Sequence, residues 1–304
     1  MDYLVTGGAG YIGSHIVKAL IERGDDVTIL DNFSTGHRWA TQGQRVVEVD
    51  LRDLPTLRSA LSGEAFDGVF HFAAKSLVGE SNQKPLLYYQ NNVTGTANLL
   101  EVALENAWNR CVFSSTAAVY GNPESEFIDE EHPTRPINVY GRTKLAMEGM
   151  LQDICATQPF SAMCLRYFNA AGAASDASIG ESHEPETHLI PNALRAASGR
   201  GKPLIIFGDD YPTSDGTCVR DYIHVQDLAD AHLNAMAYLQ THQGFNVFNL
   251  GNGQGFSVKE VFAACEQAAD RVIPHSVGPR REGDPATLVA DAGRAQITHR
   301  HKYL

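Results

Sequence analysis

The sequence predicts an α/β protein built on a doubly wound parallel sheet, with a smaller mixed α/β region at its C-terminal side. Two observations lead to this prediction. Short runs rich in Val and Ile alternate with helix-length stretches through the first half of the 304 residues, a pattern typical of βαβ units. A Gly-rich turn follows directly on the first of these runs. Right-handed crossovers between the strands then place helices on both faces of the sheet.

The elements follow in a regular order up to Phe168 and a looser one after it. Strands are predicted over residues 3–5, 27–30, 46–49, 68–72, 110–113 and 162–166, and helices over 12–23, 86–106 and 140–157. Beyond Phe168, residues 175–186 are polar without a clear period, which predicts a loop. Strands over 204–207 and 247–250 and a helix over 225–238 complete the prediction.

Composition and charge exclude several classes of protein. The chain has 24 Lys+Arg and 36 Asp+Glu, a net charge of −12, which argues against binding to nucleic acid or to an anionic membrane surface. No window has the roughly 18 apolar residues of a membrane span. The N-terminus shows no signal-peptide pattern, so a cytoplasmic protein is expected. The five cysteines form no CxxC pair, which predicts free thiols.

The segment 6–13 reads Thr-Gly-Gly-Ala-Gly-Tyr-Ile-Gly and joins the first predicted strand to the first predicted helix. Gly7, Gly10 and Gly13 permit a tight turn, a close approach of the backbone to a pyrophosphate, and close packing of the helix on the strand. The free N–H groups and the positive end of the helix dipole then point to the phosphates. In this position, the turn predicts a Rossmann-type dinucleotide site.

An acidic residue at the end of the second predicted strand distinguishes two nicotinamide dinucleotides. Asp31 suits the hydroxyls of a ribose and would repel a 2′-phosphate, so NAD is predicted rather than NADP. The alternative is a loop carboxylate that caps Ser34 or Thr35. Asp50 and Leu51, at the end of the third predicted strand, are expected to flank the adenine.

Tyr140 and Lys144 are four residues apart on a predicted helix and therefore share one of its faces. A cation held beside a tyrosine favours the phenolate and lowers the pKa of the phenol. Thr116 closes the fifth predicted strand, where ligands bind in sheets of this kind, and its hydroxyl is predicted to bond to a substrate oxygen. The alternative for the Tyr-Lys pair is a solvated helix face.

A nucleotide fold with a Ser/Thr, Tyr and Lys set resembles the short-chain dehydrogenase/reductase superfamily and, within it, the UDP-glucose 4-epimerase family. The resemblance extends to about Asp291. It is carried by residues 6–14, 31–32, 84–92, 114–121, 140–144, 165–169, 206–213, 216–225 and 280–284.

The resemblance implies epimerisation at C4 of a UDP-hexose. Tyr140 would take the proton of the 4-hydroxyl, and the C4 hydride would pass to a retained NAD. The resulting 4-keto sugar would turn over and take the hydride back on its other face. Thr116 would bond to the 4-oxygen, and Lys144 would bind the nicotinamide ribose. UDP-glucose and UDP-galactose would be interconverted without net oxidation.

The resemblance also implies which residues contact each ligand. The implied cofactor contacts are Gly7, Gly10, Tyr11, Ile12, Gly13, Asp31, Asn32, Ser34, Thr35, Gly36, Asp50, Leu51, Phe72, Ala73, Ala74, Asn91, Ser114, Tyr140, Lys144, Tyr167 and Phe168. The implied substrate contacts are Thr116, Asn169, Leu194, Ile205 and Phe207 (the last three at the uracil), Arg220 and Arg281 at the diphosphate, and Asp284 at the uridine ribose. The alternatives are core packing for the three apolar residues and a local ion pair between Arg220 and Asp221.

The resemblance also bears on domain organisation and on assembly. We expect an NAD-binding domain over residues 1–168, to which 218–250 return, and a substrate-binding region over 169–217 and 251–304. The family implies a homodimer, formed by the helices around residues 86–106 and 140–157 as a four-helix bundle.

Four features qualify the resemblance. Some family members carry a cofactor-contacting lysine where this chain has Ser76, so the role of the preceding Lys75 is open. Leu288 is expected to crowd an N-acetyl group on the sugar. Residues 297–304 are basic and differ from the apolar tail usual in the family, so this end is either truncated or divergent. No metal site is expected, and His183 and His188 are expected to be exposed.

Three other functions are alternatives to UDP-hexose epimerisation. A 4,6-dehydratase needs an acid and a base beside the Ser/Thr, whereas Ala117 and Ala118 follow Thr116 here and transfer no protons. A 4-epimerase for another UDP-sugar, UDP-N-acetylglucosamine or UDP-xylose/arabinose, is the nearer alternative. A noncatalytic NAD-binding sensor is the alternative from a different class.

Overall fold

The protein is described from a computed structural model, in which residues 1–281 and 284–298 are described. Strands in these residues are β1 (Asp2–Thr6), β2 (Asp26–Leu30), β3 (Arg45–Val47), β4 (Gly68–His71), β5 (Arg110–Thr116), β6 (Ser161–Tyr167), β7 (Asn169–Ala171), β8 (Leu204–Phe207), β9 (Val219–His224), β10 (Gly244–Leu250), β11 (Gly255–Ser257), β12 (His275–Gly278) and β13 (Thr287–Leu288). Helices are α1 (Tyr11–Arg23), α2 (Leu54–Ala60), α3 (Val78–Gln83), α4 (Pro85–Tyr88), α5 (Gly95–Glu105), α6 (Val139–Thr157), α7 (Leu189–Ala197), α8 (Val225–Tyr238), α9 (Val258–Ala269) and α10 (Gly293–Thr298).

A seven-stranded sheet in the order β10-β6-β5-β4-β1-β2-β3 forms the centre of the protein. Every pairing in it is parallel, so the carboxyl ends of the strands share one edge. The order reverses direction beside β1, which is where open α/β sheets bind their ligands. The predicted doubly wound parallel sheet is therefore confirmed.

Alternate side chains of the strands supply the two faces of the core. Tyr3 and Val5 of β1 pack with Ile16 of α1 and with α8 on one face. Leu4, between them in sequence, packs on the other face with residues of α2, α5 and α6. Because successive side chains of a strand point to opposite faces, strands covered by helices on both sides are apolar throughout.

The C-terminal part of the chain is mixed, as expected. A second sheet in the order β11-β9-β13, with β7 also paired to β9, lies at the carboxyl edge of the large sheet, and β8 pairs with β12. Of residues 218–250, α8 packs on α1 and β10 joins the large sheet, whereas β9 belongs to the second sheet. The domain boundaries themselves stay a prediction.

The structure refines several predicted elements. The helix predicted over 86–106 consists of α4, a π-helical segment (Tyr89–Thr94) and α5. Residues 175–186 form a loop as predicted. Helix α7 was not foreseen, because its N-cap residue, His188, provides no side-chain cap. Helix α9 was missed although Ser257 and Glu260 form a capping box at its start. The five cysteines are free, which confirms that prediction. None of the helices within residues 1–281 and 284–298 has the length and apolar content of a bilayer crossing.

Two features named above lie partly outside the described residues. Glu282 and Gly283 of the family-like run at 280–284 are not described, and neither are residues 299–304 of the basic tail.

Candidate active site

The carboxyl ends of the central strands open into one cleft of about 530 Å³. All residues predicted to contact the cofactor line this cleft, from Gly7 to Phe168. Thr116, Asn169, Arg220 and Asp284 of the predicted substrate residues line it as well. The other four, Leu194, Ile205, Phe207 and Arg281, lie outside its lining, and their assignment stays a prediction.

The Gly-rich turn between β1 and α1 is too close to its neighbours for larger side chains. Gly7 has a φ of +72°, and a Cβ added there would lie 2.7 Å from the backbone nitrogen of Ala73. A Cβ on Gly13 would lie 2.2 Å from the carbonyl oxygen of Gly7. The N-cap residue of α1 is Gly10, which has no side chain to cap the helix. The first N–H groups of α1 are therefore available to a ligand. This cradle suits a pyrophosphate.

Asp31 ends β2 beside this turn, with its carboxylate buried. One carboxylate oxygen accepts a hydrogen bond from the backbone N–H of Ala9 at 3.0 Å and the other from that of Phe33 at 2.8 Å. Burial raises the pKa of the carboxyl group. The capping alternative is wrong for Ser34, whose backbone N–H donates to Asn32 instead at 3.0 Å. The carboxylate thus sits where a ribose diol would meet it.

Asp50 reaches the same wall of the cleft from the end of β3. Its carboxylate pairs with Arg52 at 2.7 Å and accepts a hydrogen bond from Asn32 at 3.1 Å. The hydrogen bond from Arg52 lowers the pKa of Asp50 well below its usual value. The carboxylate is therefore ionised and held in place beside Leu51.

Tyr140 and Thr116 are brought together by the way α6 begins. Asn138 caps the helix by accepting a hydrogen bond from the Gly141 backbone N–H at 2.8 Å. A Cβ on Gly141 would lie 2.4 Å from the carbonyl oxygen of Ala118, so the first turn of α6 lies directly against the chain that follows β5. As a result, the phenol of Tyr140 and the hydroxyl of Thr116 lie close enough for the hydroxyl to influence the protonation of the phenol.

Lys144 lies one helical turn further into the protein and is 2% exposed. Its Nζ donates a hydrogen bond to the carbonyl oxygen of Ser114 at 2.8 Å and lies 6.0 Å from the centroid of the Tyr140 ring. The side chain of Ser114 is hydrogen-bonded to the hydroxyl of Tyr167. The predicted Ser/Thr, Tyr and Lys set therefore occupies one corner of the cleft.

Burial dominates the protonation of this set. It raises the pKa of Tyr140 to about 12, against the opposing hydrogen bond with Thr116. It lowers the pKa of Lys144 to about 7, against the attraction of Glu148. Lys144 was expected to lower the pKa of Tyr140. That expectation is wrong for the protein alone, because burial raises the pKa of the phenol and the cation bonds to Ser114 instead.

A chain of buried polar groups supports α6 from behind and was missed in the sequence analysis. Ser115 donates to Glu148 at 2.5 Å, and Glu148 pairs with Arg166 at 2.6 Å. Arg166 also donates to the hydroxyl of Tyr120 at 3.1 Å, which donates to Asn249 at 2.7 Å. Glu148 lies on the same helix face as Lys144, four residues on, and this spacing is the signal that could have revealed it.

The substrate side of the cleft contains a different ion pair from the one considered above. Arg220 pairs with Asp284 and also donates to the carbonyl oxygen of Pro285 at 2.8 Å. The alternative of a local pair between Arg220 and Asp221 is wrong, because Asp221 instead accepts hydrogen bonds from the backbone N–H groups of Asn252 and Gly253. Arg220 and Asp284 therefore line the cleft as an ion pair.

The remaining predicted substrate residues differ in their surroundings. The guanidinium of Arg281 stacks over the ring of Phe207, 4.2 Å from its centroid. Leu194 and Ile205 are 42% and 51% exposed, so core packing is not what holds these two side chains. Asn169 donates to the carbonyl oxygen of Asp221 at 3.0 Å.

The backbone of Lys75 is fixed in the cleft wall. Its N–H donates to Asn92 at 2.8 Å, and Asn92 donates back to its carbonyl oxygen at 3.0 Å. Asn92 also donates to Thr143 of α6 at 3.0 Å. Through Asn92, the loop after β4 is tied to the helix that carries Tyr140.

Residues 3–251 match the model of the NAD dependent epimerase/dehydratase family. The chain belongs to this family. NAD is the cofactor of this epimerase/dehydratase family member, and its Gly-rich cradle and Asp31 suit that group.

Individual relatives resemble almost the whole of this family member. A UDP-glucose 4-epimerase of Halalkalibacterium halodurans is 51% identical over 97% of this chain and 89% of its own length. The crystal structure of the Brucella ovis UDP-glucose 4-epimerase with NAD has a TM-score of 0.96 at 44% identity, covering 100% of this chain and 93% of that one. The Bifidobacterium longum UDP-glucose 4-epimerase with NAD+ and UDP has a TM-score of 0.95 at 38% identity, covering 100% and 94%.

Proposed function

We propose that the protein interconverts UDP-glucose and UDP-galactose by NAD-dependent epimerisation at C4 of the hexose. The observation that carries this function is the corner of the cleft where Tyr140, Thr116 and Lys144 meet at the carboxyl ends of the strands. The UDP-glucose 4-epimerase relatives named above support it. A cleft that continues from the Gly-rich turn to Arg220 has room for both nucleotides.

The residues divide the proton and binding work between them. Bound NAD supplies a reversible acceptor for the C4 hydride and a positive charge that favours the Tyr140 phenolate. Tyr140 takes the proton of the 4-hydroxyl as the 4-keto sugar forms, and returns it when the sugar is reduced on its other face. The Thr116 hydroxyl holds the 4-oxygen, and Lys144 holds the nicotinamide ribose.

The diphosphate of the substrate is met by local groups, since the protein as a whole carries −12. Arg220 is placed for this role because it lines the cleft, and its planar guanidinium matches the oxygens of a diphosphate. Asp284, its ion-pair partner, is left to accept hydrogen bonds from the uridine ribose.

The neighbourhood of Thr116 disfavours the dehydratase alternative. Ala117 and Ala118 line the cleft directly after it and offer no group that transfers a proton.

Leu288 bears on which sugar is preferred. It lines the cleft on β13, directly beside Arg220 of the paired strand β9. A bulky side chain there supports UDP-glucose and UDP-galactose as substrates over the N-acetylated pair.

The test is a single-substrate assay without added cofactor. The purified protein is incubated with UDP-galactose, and UDP-glucose is measured. We expect product, because the NAD is retained, and a loss of about 10²- to 10⁴-fold in Tyr140→Phe. Tyr3→Phe removes a buried hydroxyl at the opposite end of β1 and serves as the control with unchanged turnover. Full turnover by Tyr140→Phe would overturn the assigned role, and bound NAD without epimerisation would favour the sensor.

We also infer that the protein is a homodimer formed through the helices of residues 85–105 and α6. The support is a set of exposed apolar side chains within residues 85–105: Leu86 is 73% exposed, Tyr89 39% and Leu104 37%. Light scattering after gel filtration should give twice the mass of the 33.1 kDa chain, and Leu86→Lys should shift it toward the monomer. A monomeric wild type would contradict the inference.

The proposed reaction belongs to galactose metabolism, and we expect the protein in the cytoplasm. Its five free thiols suit a reducing compartment. Fractionation of cells producing the protein would test the location.

A further inference from the structure

The loop between β7 and α7 gathers two carboxylates and two imidazoles. Glu181, His183, Glu186 and His188, called here the loop site, each direct one potential ligand atom inward, and these four atoms lie within 4.8 Å of one another. Both histidines were expected to be exposed. This is confirmed for His188, whose side chain is 48% exposed, whereas the side chain of His183 is only 28% exposed.

The spacing of these atoms is close to that of a tetrahedral cage. His188 Nδ1 lies 2.7 Å from a Glu181 oxygen and 2.9 Å from a Glu186 oxygen. His183 Nδ1 lies 3.3 Å from Glu181 and 3.7 Å from Glu186. Bonds of about 2.0–2.1 Å to zinc separate the ligand atoms of a tetrahedral site by about 3.3 Å. Small side-chain adjustments would therefore enclose an ion.

The polar atoms of the loop site are buried without full satisfaction. The side chains of Glu181 and Glu186 are only 8% and 1% exposed. Glu186 Oε2 and His183 Nδ1 are buried and lack a hydrogen-bond partner within the described residues. Within the described residues, the two carboxylates form their ion pairs with the two histidines. Two carboxylates removed from water need positive charge. The His183 nitrogen and the Glu186 oxygen lie 3.7 Å apart without a hydrogen bond, so an ion between them would be a partner for both.

We propose that the loop site binds one zinc ion. Two imidazole nitrogens and two carboxylate oxygens form a mixed ligand set that suits zinc, whereas Mg²⁺ and Ca²⁺ prefer oxygen ligands throughout. The 2+ charge of the ion balances the two carboxylates while both imidazoles bind in their neutral form. His188, the most exposed of the four, faces the cleft and leaves a path for the ion to enter.

The position of the loop site gives the ion a structural role at the cofactor turn. The ring of His183 packs edge-on against Tyr11, with centroids 6.2 Å apart, and the Tyr11 hydroxyl donates to the carbonyl oxygen of Gly172 at 2.7 Å. The carbonyl oxygen of Ser182 is hydrogen-bonded to His37 at 3.0 Å. An ion that holds the loop in this shape keeps it against the Gly-rich turn, and thereby slows the release of the cofactor.

The experiment uses the full chain without a polyhistidine tag, and zinc alone as the probe. Metal content is measured by mass spectrometry after gel filtration, and zinc binding to chelator-treated protein by calorimetry. We expect about one zinc per chain and a rise in the thermal midpoint on zinc addition. His183→Gln and Glu186→Gln should each weaken zinc binding at least 100-fold, and should lose NAD faster on dialysis.

Glu184→Gln is the matched control, since Glu184 lies in the same loop, is exposed, and undergoes the same change of charge without belonging to the loop site. It should keep the wild-type zinc affinity. Wild-type protein that binds no zinc at micromolar concentration would overturn the proposal, because the carboxylates would then share a protonated histidine instead. Equal zinc binding by wild type, His183→Gln and Glu186→Gln would overturn it too. The wild-type measurement decides even if a variant fails to fold.

Discussion

The carboxylate of Glu148 and the guanidinium of Arg166 form a two-point ion pair in the interior, with distances of 2.9 and 2.6 Å. The two side chains are 4% and 7% exposed. The pair joins α6, which carries Tyr140 and Lys144, to β6 in the middle of the sheet. It therefore holds α6 to the strands that bear the rest of the candidate site.

Glu148→Ala should destabilise the protein strongly, because it leaves the charge of Arg166 buried without its partner. Breaking a buried pair in this way costs about 3–5 kcal/mol. The surface pair of Arg38 and Glu48, with side chains 68% and 53% exposed, provides the control. Glu48→Ala should cost less than about 1 kcal/mol. Urea unfolding measures both, and similar losses for the two variants would contradict the importance of the buried pair.

Gly7→Ala should lower the content of bound NAD by at least tenfold. Its φ of +72° is strained for alanine, and its Cβ would lie 2.7 Å from the backbone of Ala73, so the turn must open where the pyrophosphate binds. Gly24→Ala is the matched control, since φ is +86° there but nothing lies within 4 Å. It should cost about 1–2 kcal/mol of stability and leave the bound NAD unchanged. The absorbance ratio at 260 and 280 nm of the purified variants measures the cofactor, and equal NAD content in both would refute the steric argument.

Stability should fall in mild acid because of buried neutral histidines. Burial lowers the pKa of His232 from 6.5 to about 4 and that of His71 to about 3. Since the folded protein binds these protons less readily than the unfolded chain, the stabilisation is complete above pH 6.5 and is lost as the pH falls toward 4. In this pH window, each histidine changes the free energy of unfolding by up to about 1.4 kcal/mol per pH unit.

His232→Gln should make the free energy of unfolding depend less steeply on pH, because one of the two titrating histidines is removed. This holds whatever the effect of the substitution on stability at pH 8. Urea unfolding between pH 8 and pH 4.5 measures both quantities. An unchanged slope would show that His232 does not titrate on unfolding.

Leu288→Ala should increase the specificity constant for UDP-N-acetylglucosamine relative to UDP-glucose by roughly 10-fold or more, since a few methylenes of room are worth about 1–3 kcal/mol. Leu288 lines the cleft, whereas the next residue, Val289, is 4% exposed and packs away from it. Val289→Ala is therefore the control, with an unchanged ratio. Comparable use of both sugars by the wild-type protein would refute the proposed sugar preference.

Much of the site was predictable because it depends on local geometry. Tyr140 and Lys144 share a helix face at a spacing of four residues, and the Gly-rich turn between a strand and a helix has one common use. The side chains of the loop site were all visible in sequence as Glu-x-His-x-x-Glu-x-His. Their convergence was not, because an irregular loop has no period that relates spacing to direction.

The sequence by itself determined the parallel sheet, the cofactor turn and the placement of Tyr140 and Lys144 on one helix face, since each follows from residues close together in the chain. Only the tertiary structure decided which distant groups meet: Thr116 with Tyr140, Glu148 with Arg166, and Arg220 with Asp284 rather than with its neighbour. It also decided that the pKa of Tyr140 is raised rather than lowered. Burial is set by how remote elements pack, and the removal of water from a charge outweighs a cation that bonds elsewhere.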